Sequence, residues 1–185
     1  MKARELIVLA AEFVGEELLE HVNGYFDYGE SLGEMPVVEL LSSFNGVQEE
    51  LASKYIPLIT EEEIETVTGA VPYTVLSKRV SRIVRVTNEW GMSVRFDLYD
   101  EYFKTCVGRL KVKYTYLPNE KDTEDEVEFD LYVTKRLIAY GMAADYCLKK
   151  GLYDEAEMWD KKYKTAIRDA YKKAPCKRIP AREWK

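Results

Sequence analysis

The chain has 185 residues and a mass of 21.5 kDa, enough for one large or two small domains that bury roughly 70% of the unfolded surface. Its 27 basic and 33 acidic residues leave a net charge of -6 and a pI near 5.1, which excludes whole-surface attraction to nucleic acid as the main activity and leaves room only for a basic patch. With 46% hydrophobic and 32% charged residues, the composition is that of a soluble globular protein and not of a disordered one.

The spacing predicts a first amphipathic helix over 3–21, in which Leu6, Ala10, Phe13, Val14, Leu18 and Val22 step by three or four residues while Glu12, Glu16, Glu17 and Glu20 face water. Asn23-Gly24 is its expected stop, which places His21 at a helix end, where an imidazolium meets the negative end of the dipole. Residues 25–33 carry glycines between acids and read as a connector. Pro36 then opens a second helix, with Leu40, Phe44, Val47, Leu51 and Tyr55 on one stripe, and Pro57 prevents its continuation.

From about residue 60 to 117 the period changes from 3.6 to 2. Val94, Phe96 and Leu98 alternate with Arg95 and Asp97, and Leu110, Val112, Tyr114 and Tyr116 alternate with Arg109, Lys111, Lys113 and Thr115. Each pattern predicts a strand with one buried and one wet face. Residues 80–87 form a third expected strand, joined to the Val94 strand through Asn88-Glu89-Trp90-Gly91, and Val107-Gly108 supplies a turn after Tyr102-Phe103. A short edge strand is expected over 65–71. Short links between consecutive strands predict an antiparallel meander, because parallel neighbours need long crossovers.

The stretch 119–130 holds seven acids and one lysine and reads as a solvated linker. A third helix over 131–150 is apolar almost all round at its centre, and Gly141 within it suggests a close neighbouring backbone. Lys149-Lys150-Gly151 ends it, with glycine free to take the left-handed cap. The last helix, over 153–173, opens on Asp154 and Glu157 at capping-box spacing and carries Leu152, Ala156, Trp159, Tyr163, Ile167 and Ala170 on one stripe. Trp159, Tyr163 and Tyr140 are expected core residues of the resulting hairpin. Residues 172–185 carry six bases and one acid, +5 against -11 for the rest.

The expected fold is therefore α+β: four amphipathic helices, two N-terminal and a C-terminal helical hairpin, bracketing an antiparallel β-meander. The expected division is 1–58 for the N-terminal part of a helical domain, 59–118 for the meander, 119–173 for the acidic linker and the hairpin that completes the helical domain, and 174–185 for a basic docking arm.

Chemical motifs are sparse. Cys106, Cys147 and Cys176 form no CxxC pair, so no zinc or redox motif is expected, and their odd number suits a reducing compartment. His21 is the single histidine, which excludes a multi-histidine metal site. No GxGxxG or phosphate-loop pattern occurs among the ten glycines. The longest apolar run, 137–144, is too short for a membrane span, and the one after the basic start is too short for a signal peptide. Neither enzymatic activity nor a cofactor is expected. A nucleic-acid module built on Arg79, Arg82, Arg85 and Arg95 is disfavoured, since bases at 79, 82 and 85 would be spread over both faces of a strand, and bases alternating with apolar residues are usually the wet face of a sheet.

The run Leu137-Ile138-Ala139-Tyr140-Gly141-Met142-Ala143-Ala144-Asp145-Tyr146-Cys147, then Gly151-Leu152-Tyr153-Asp154-Glu155-Ala156-Glu157-Met158-Trp159, then Arg178-Ile179-Pro180-Ala181-Arg182-Glu183-Trp184, resembles the small head-tail connector (adaptor, neck) proteins of tailed bacteriophages. The resemblance is clearest over 130–185. It implies a virion structural protein at the junction of neck and tail, present in host cytoplasm during assembly. Its partners would be the portal protein and neighbouring neck or tail proteins, in a homo-oligomeric ring through which DNA passes without sequence-specific contact, with no membrane involved. A baseplate or other tail-associated protein, or a nucleic-acid-binding accessory protein, are the alternatives. Arg178, Ile179, Pro180, Arg182, Trp184 and Lys185 are the expected partner-binding residues, because prolines keep the segment extended while tryptophan and arginine are frequent binding anchors. For contacts between ring subunits, the basic strand face of Arg109, Lys111 and Lys113 is expected to meet the acids Glu124, Asp125 and Glu126 of a neighbour.

Overall fold

A computed structural model describes residues 1–29, 31–129 and 133–173. Two compact units are formed, one from residues 1–44 with 123–185 and one from residues 45–122. The boundaries fall inside the second expected helix and inside the acidic stretch, not at 58/59 and 118/119.

In the first unit, α1 (Ala3–Val14) buries Leu6, Ile7, Ala10 and Ala11. The single helix expected over 3–21 is divided, because Gly15 takes an extended conformation and α2 (Glu16–Tyr28) starts anew from it. Gly24 lies buried inside α2, and the stop falls instead at Gly29, whose φ of 70° is the left-handed cap that glycine adopts without a Cβ penalty. His21 is consequently a half-buried residue of the helix interior and not of its end. A 3-10 turn, Ser31–Gly33, leads into α3 (Glu34–Glu50), so that Pro36 stands within the first turn.

The C-terminal hairpin has the expected form. Thr134 caps α4 (Lys135–Lys149) by accepting a bond from the Leu137 amide at 3.2 Å, which sets the start four residues later than the periodicity implied. Gly151 has φ 78°, and the bonds Gly151 N to Leu148 O and Leu152 N to Cys147 O close the turn. In α5 (Tyr153–Lys173), Asp154 lies within the first turn, one residue after the helix start. Glu157 pairs with Lys161 at 2.6 Å. Ala156, Trp159, Tyr163, Ile167 and Ala170 are all buried, whereas Leu152, expected on the same stripe, is exposed in the turn; α5 and α1 both pack on α4. The rings of Phe13, Tyr140 and Trp159 stack with centroids 5.1 to 5.7 Å apart.

The acidic stretch is not a free linker. The Ala3 and Arg4 amides, which α1 cannot satisfy within itself, donate to Asp125 O at 3.0 Å and Thr123 O at 2.8 Å, and Val127 N returns a bond to Met1 O.

The second unit consists of the end of α3, a π-helical turn (Leu51–Tyr55) and seven strands in two sheets. β1 (Leu58–Thr66), β7 (Gly108–Leu117), β3 (Arg79–Asn88) and β4 (Ser93–Val94) make a sheet in the order β1-β7-β3-β4; β2 (Ala70–Pro72), β6 (Tyr102–Lys104) and β5 (Asp97–Leu98) make a second in the order β2-β6-β5. Every pairing is antiparallel, as expected. The meander order is not observed, because β7 inserts between β1 and β3 and the chain changes sheets after β1, β2, β4 and β6. The strand expected over 94–98 is two short strands in different sheets, joined by Arg95 and Phe96, and Leu98 is exposed. The expected edge strand over 65–71 is replaced by the nine-residue β1, which ends at Thr66, and by β2. Gly69, at φ 73°, turns the chain between them, and its O accepts from the Thr105 amide at 2.7 Å. The inner faces of the two sheets close on Ile64, Val71, Leu76, Ile83, Val86, Phe103, Leu110, Val112 and Tyr114.

Candidate functional site

The expected docking arm, with Arg178, Ile179, Pro180, Arg182, Trp184 and Lys185, lies outside the described residues. The expected subunit interface lies within them, and both of its sides have partners in their own unit. β1 pairs with β7 so that Glu61 opposes Lys113, Glu63 opposes Lys111 and Glu65 opposes Arg109. Lys111 Nζ stands 2.9 Å from Glu63 Oε1 and Arg109 Nε 3.9 Å from Glu65 Oε2. The hydrogen bond between Lys111 and Glu63 raises the lysine pKa and lowers that of the carboxyl. On the acidic side, Glu124 binds Lys2 at 2.8 Å, the Asp125 carbonyl binds α1, and Glu126 bridges Lys2 through the backbone.

β3 departs from the sequence reading in a way that changes its chemistry. The register along β7 shifts between Val80 and Arg82 and again between Ile83 and Arg85. Each shift is a bulge that inserts one residue and restores the inward side chain a position later. Val80, Ile83 and Val86 therefore oppose Tyr116, Tyr114 and Val112 on the inner face, whereas Arg79, Arg82 and Arg85 oppose Leu117, Thr115 and Lys113 on the outer one. The burial of Ile83 (4%) and Val86 (0%), each directly following an exposed arginine, agrees with this alternation by threes. The expectation that bases 79, 82 and 85 divide between two faces is corrected: all three share one face with Arg109, Lys111 and Lys113. Arg95 lies on the link between β4 and β5.

Of these bases, Arg79 pairs with Glu49 at 3.4 Å. Arg82, Arg85 and Lys113 form no ion pair among the described residues, although Arg85 and Lys113 are direct cross-strand neighbours of like charge. Beside them the π-helical turn and the first bulge enclose an open cavity of about 440 Å³, lined by Ser53, Lys54, Ser81, Arg82 and Thr115 among others.

On the opposite side of the sheet, Glu62 accepts from Ser77 Oγ at 2.5 Å, from the Ser77 amide at 3.0 Å and from Tyr114 Oη. Burial alone would raise its pKa, but these bonds outweigh it and hold the carboxyl below the usual range. Burial, then the bond to Glu62, pushes the Tyr114 hydroxyl up. With all three groups engaged in one another, the cluster fastens the segment before β3 to the sheet. Cys147 is buried in the helical unit, and burial raises its thiol pKa; Cys106 is exposed. Among the described residues no group of three or more His, Cys, Asp or Glu could hold a metal ion, and no helix is long and apolar enough to cross a membrane.

Compared with protein-family models and with curated proteins, the sequence matches none.

Sequence reading missed the bulges because a strand was assumed to be flat. The signal was present in Arg79-Val80-Ser81-Arg82-Ile83-Val84-Arg85, where charge recurs every third residue and a single inward apolar residue lies in each interval.

Proposed function

We propose that the chain is a structural virion protein of a tailed phage or prophage, a connector (adaptor) that assembles as a ring between portal and tail and docks on a partner through residues 174–185. Its role is assembly and not catalysis. The reading rests on the resemblance over 130–185, and one observation supports it best. Residues 137–147 and 151–159 of that resemblance belong to the α4/α5 hairpin, whose stripe from Ala156 to Ala170 is buried in packing. The hairpin is thereby a rigid mount, and the basic segment that follows it is left to supply the specific contact. A baseplate or other tail-associated station is the second reading, carried by the same hairpin.

The test is electron microscopy and mass spectrometry of virions from the phage or prophage that encodes the chain. The connector reading expects a ring of this chain between portal and tail; its absence from the neck and tail would overturn it. Deleting 175–185 is expected to leave the thermal melt nearly unchanged and to abolish attachment to the portal or adjacent ring. Trp184→Ala is expected to weaken docking by about 2 kcal/mol or more. Virions that assemble normally with the truncated chain would remove the arm from the proposal.

A further inference from the structure

The strongest unassigned feature of the molecule is the outer face of the β1-β7-β3-β4 sheet. A solvated sheet face ordinarily mixes charges, and β1 and β7 do so, with Glu63 against Lys111 and Glu65 against Arg109. β3 does not. Its two bulges turn Arg79, Arg82 and Arg85 to one side, where their β7 partners are Leu117, Thr115 and Lys113. Those partners are spaced every second residue, so successive arginines stand about 7 Å apart, twice the rise per strand residue. That is about the separation of neighbouring phosphates along a nucleic-acid strand.

We propose that this face is a binding surface for the phosphate backbone of duplex DNA, read without regard to sequence. Three further observations support it. Arg82, Arg85 and Lys113 form no ion pair among the described residues, although Glu61 stands opposite Lys113 across the strands, so their charge is available. The open cavity of about 440 Å³ beside the π-helical turn brings Arg82 together with Ser81, Thr115 and Lys54, which also pairs with Glu50 at 3.1 Å, in a concavity wide enough for a sugar-phosphate segment. The register brings no aromatic side chain to the outer face of the described strands, which favours backbone contacts to a duplex over the base stacking that single strands require. The acidic stretch of a second copy is the less suitable occupant, because its Glu124 already pairs with Lys2. The chain's overall negative charge is no obstacle, since a local row of cations governs contact at separations below the Debye length of about 8 Å. The inference is independent of the connector assignment, which virion composition tests separately.

The experiment measures fluorescence anisotropy of a labelled duplex with the purified full chain over a salt series. Three phosphate contacts predict a slope of about −2.7 for log K against log[salt], or about 40-fold weaker binding at 200 than at 50 mM. Replacing Arg79, Arg82 and Arg85 together by alanine should remove most of that slope and weaken low-salt binding at least about tenfold. All three side chains are exposed, and an unchanged circular-dichroism melt checks that the variant folds. The triple Arg→Lys variant should keep the slope, and a variant carrying Glu61→Gln, Glu63→Gln and Glu65→Gln should bind more tightly. Neutralising Lys177, Arg178, Arg182 and Lys185 should leave the contribution of the arginines in place. The proposal is overturned if the wild-type chain does not bind duplex at low salt. It is equally overturned if the alanine variant binds as well as wild type, or if binding vanishes in the tail variant alone. Low-salt self-association in sedimentation that the arginine variant abolishes, without DNA binding, would assign the face to a second copy. Tighter binding of single strands than of duplex at equal salt would overturn the choice of duplex.

Discussion

Trp159→Ala probes the core of the helical unit. Trp159 is 8% exposed and packs with Ala143, Cys147 and Ala156. Its indole stacks on Phe13 at 5.1 Å and Tyr140 at 5.7 Å, with Lys162 Nζ 3.9 Å above the ring. Truncating a buried tryptophan costs about 3–5 kcal/mol, of which the two ring pairs account for about 0.5–1.5 kcal/mol each. Because the cluster joins α1 to the α4/α5 hairpin, little collapse can fill the space, and a loss of about 4 kcal/mol is expected. Trp159→Phe, which keeps both stacks, should lose only about 1–2 kcal/mol. Urea denaturation followed by far-ultraviolet circular dichroism measures both. At a slope of about 2 kcal/mol per M the alanine variant should unfold about 2 M earlier than wild type. A shift below 0.5 M, or equal shifts for the two variants, would refute the reasoning and show that the aromatic stack does not hold α1 to the hairpin.

Glu62 has a lowered folded pKa, so its bonds to Ser77 and Tyr114 contribute stability above the ordinary value of 4.5 and lose it as pH falls through the folded value. The difference in melting temperature between wild type and Glu62→Gln should therefore be largest near neutral pH and shrink below about pH 4; a constant difference would count against it. Thr134→Ala should destabilise the helical unit by about 1 kcal/mol through loss of the α4 cap, and Thr134→Ser should restore most of it in chemical denaturation. Gly46 is exposed in α3, and a Cβ there meets nothing within 4 Å, so Gly46→Ala should stabilise by up to about 1 kcal/mol. Gly69→Ala should do the reverse, since its φ is 73° and a Cβ would lie 2.5 Å from Thr105 O; thermal melts of the pair compare the two signs directly.

The helices of the C-terminal half were legible because a buried stripe at 3.6 spacing leaves a strong trace, as the burial of Ala156, Trp159, Tyr163, Ile167 and Ala170 demonstrates. Breaks were harder to read. Gly15 lies within an uninterrupted apolar stripe, so local periodicity carried no mark of the chain leaving the helix there. β1 was placed too late because four of its nine residues are glutamates, and what makes them suitable for a strand lies far off in sequence: Glu61, Glu63 and Glu65 oppose a row of bases on β7 more than 40 residues away, and Glu62 on the other face is held by Ser77 and Tyr114. Tertiary pairing, which no local window contains, decided the element. The outer face was misjudged for a related reason: alternation assumes one residue per pleat, and a bulge is visible only once the partner strand is known. The docking arm, the boldest reading from sequence, lies outside the described residues.

The assembly of the helical unit from the two ends of the chain has a consequence for its synthesis. α1 ends at Val14 and its partner α4 begins at Lys135, so about 120 residues are translated before the contact can form, a wait of about 6–24 s at 5–20 residues per second. During that interval Leu6, Ile7, Ala10 and Ala11 have no α4 to pack against, while all seven strands emerge and can pair. Reciprocal bonds between Asn45 and Lys121, Nδ2 to O at 3.1 Å and N to Oδ1 at 2.9 Å, tie the base of the β unit once residue 121 clears the ribosome. The nascent chain is thus a closed β module carrying an unmatched amphipathic helix pair, the form in which a chaperone would meet it.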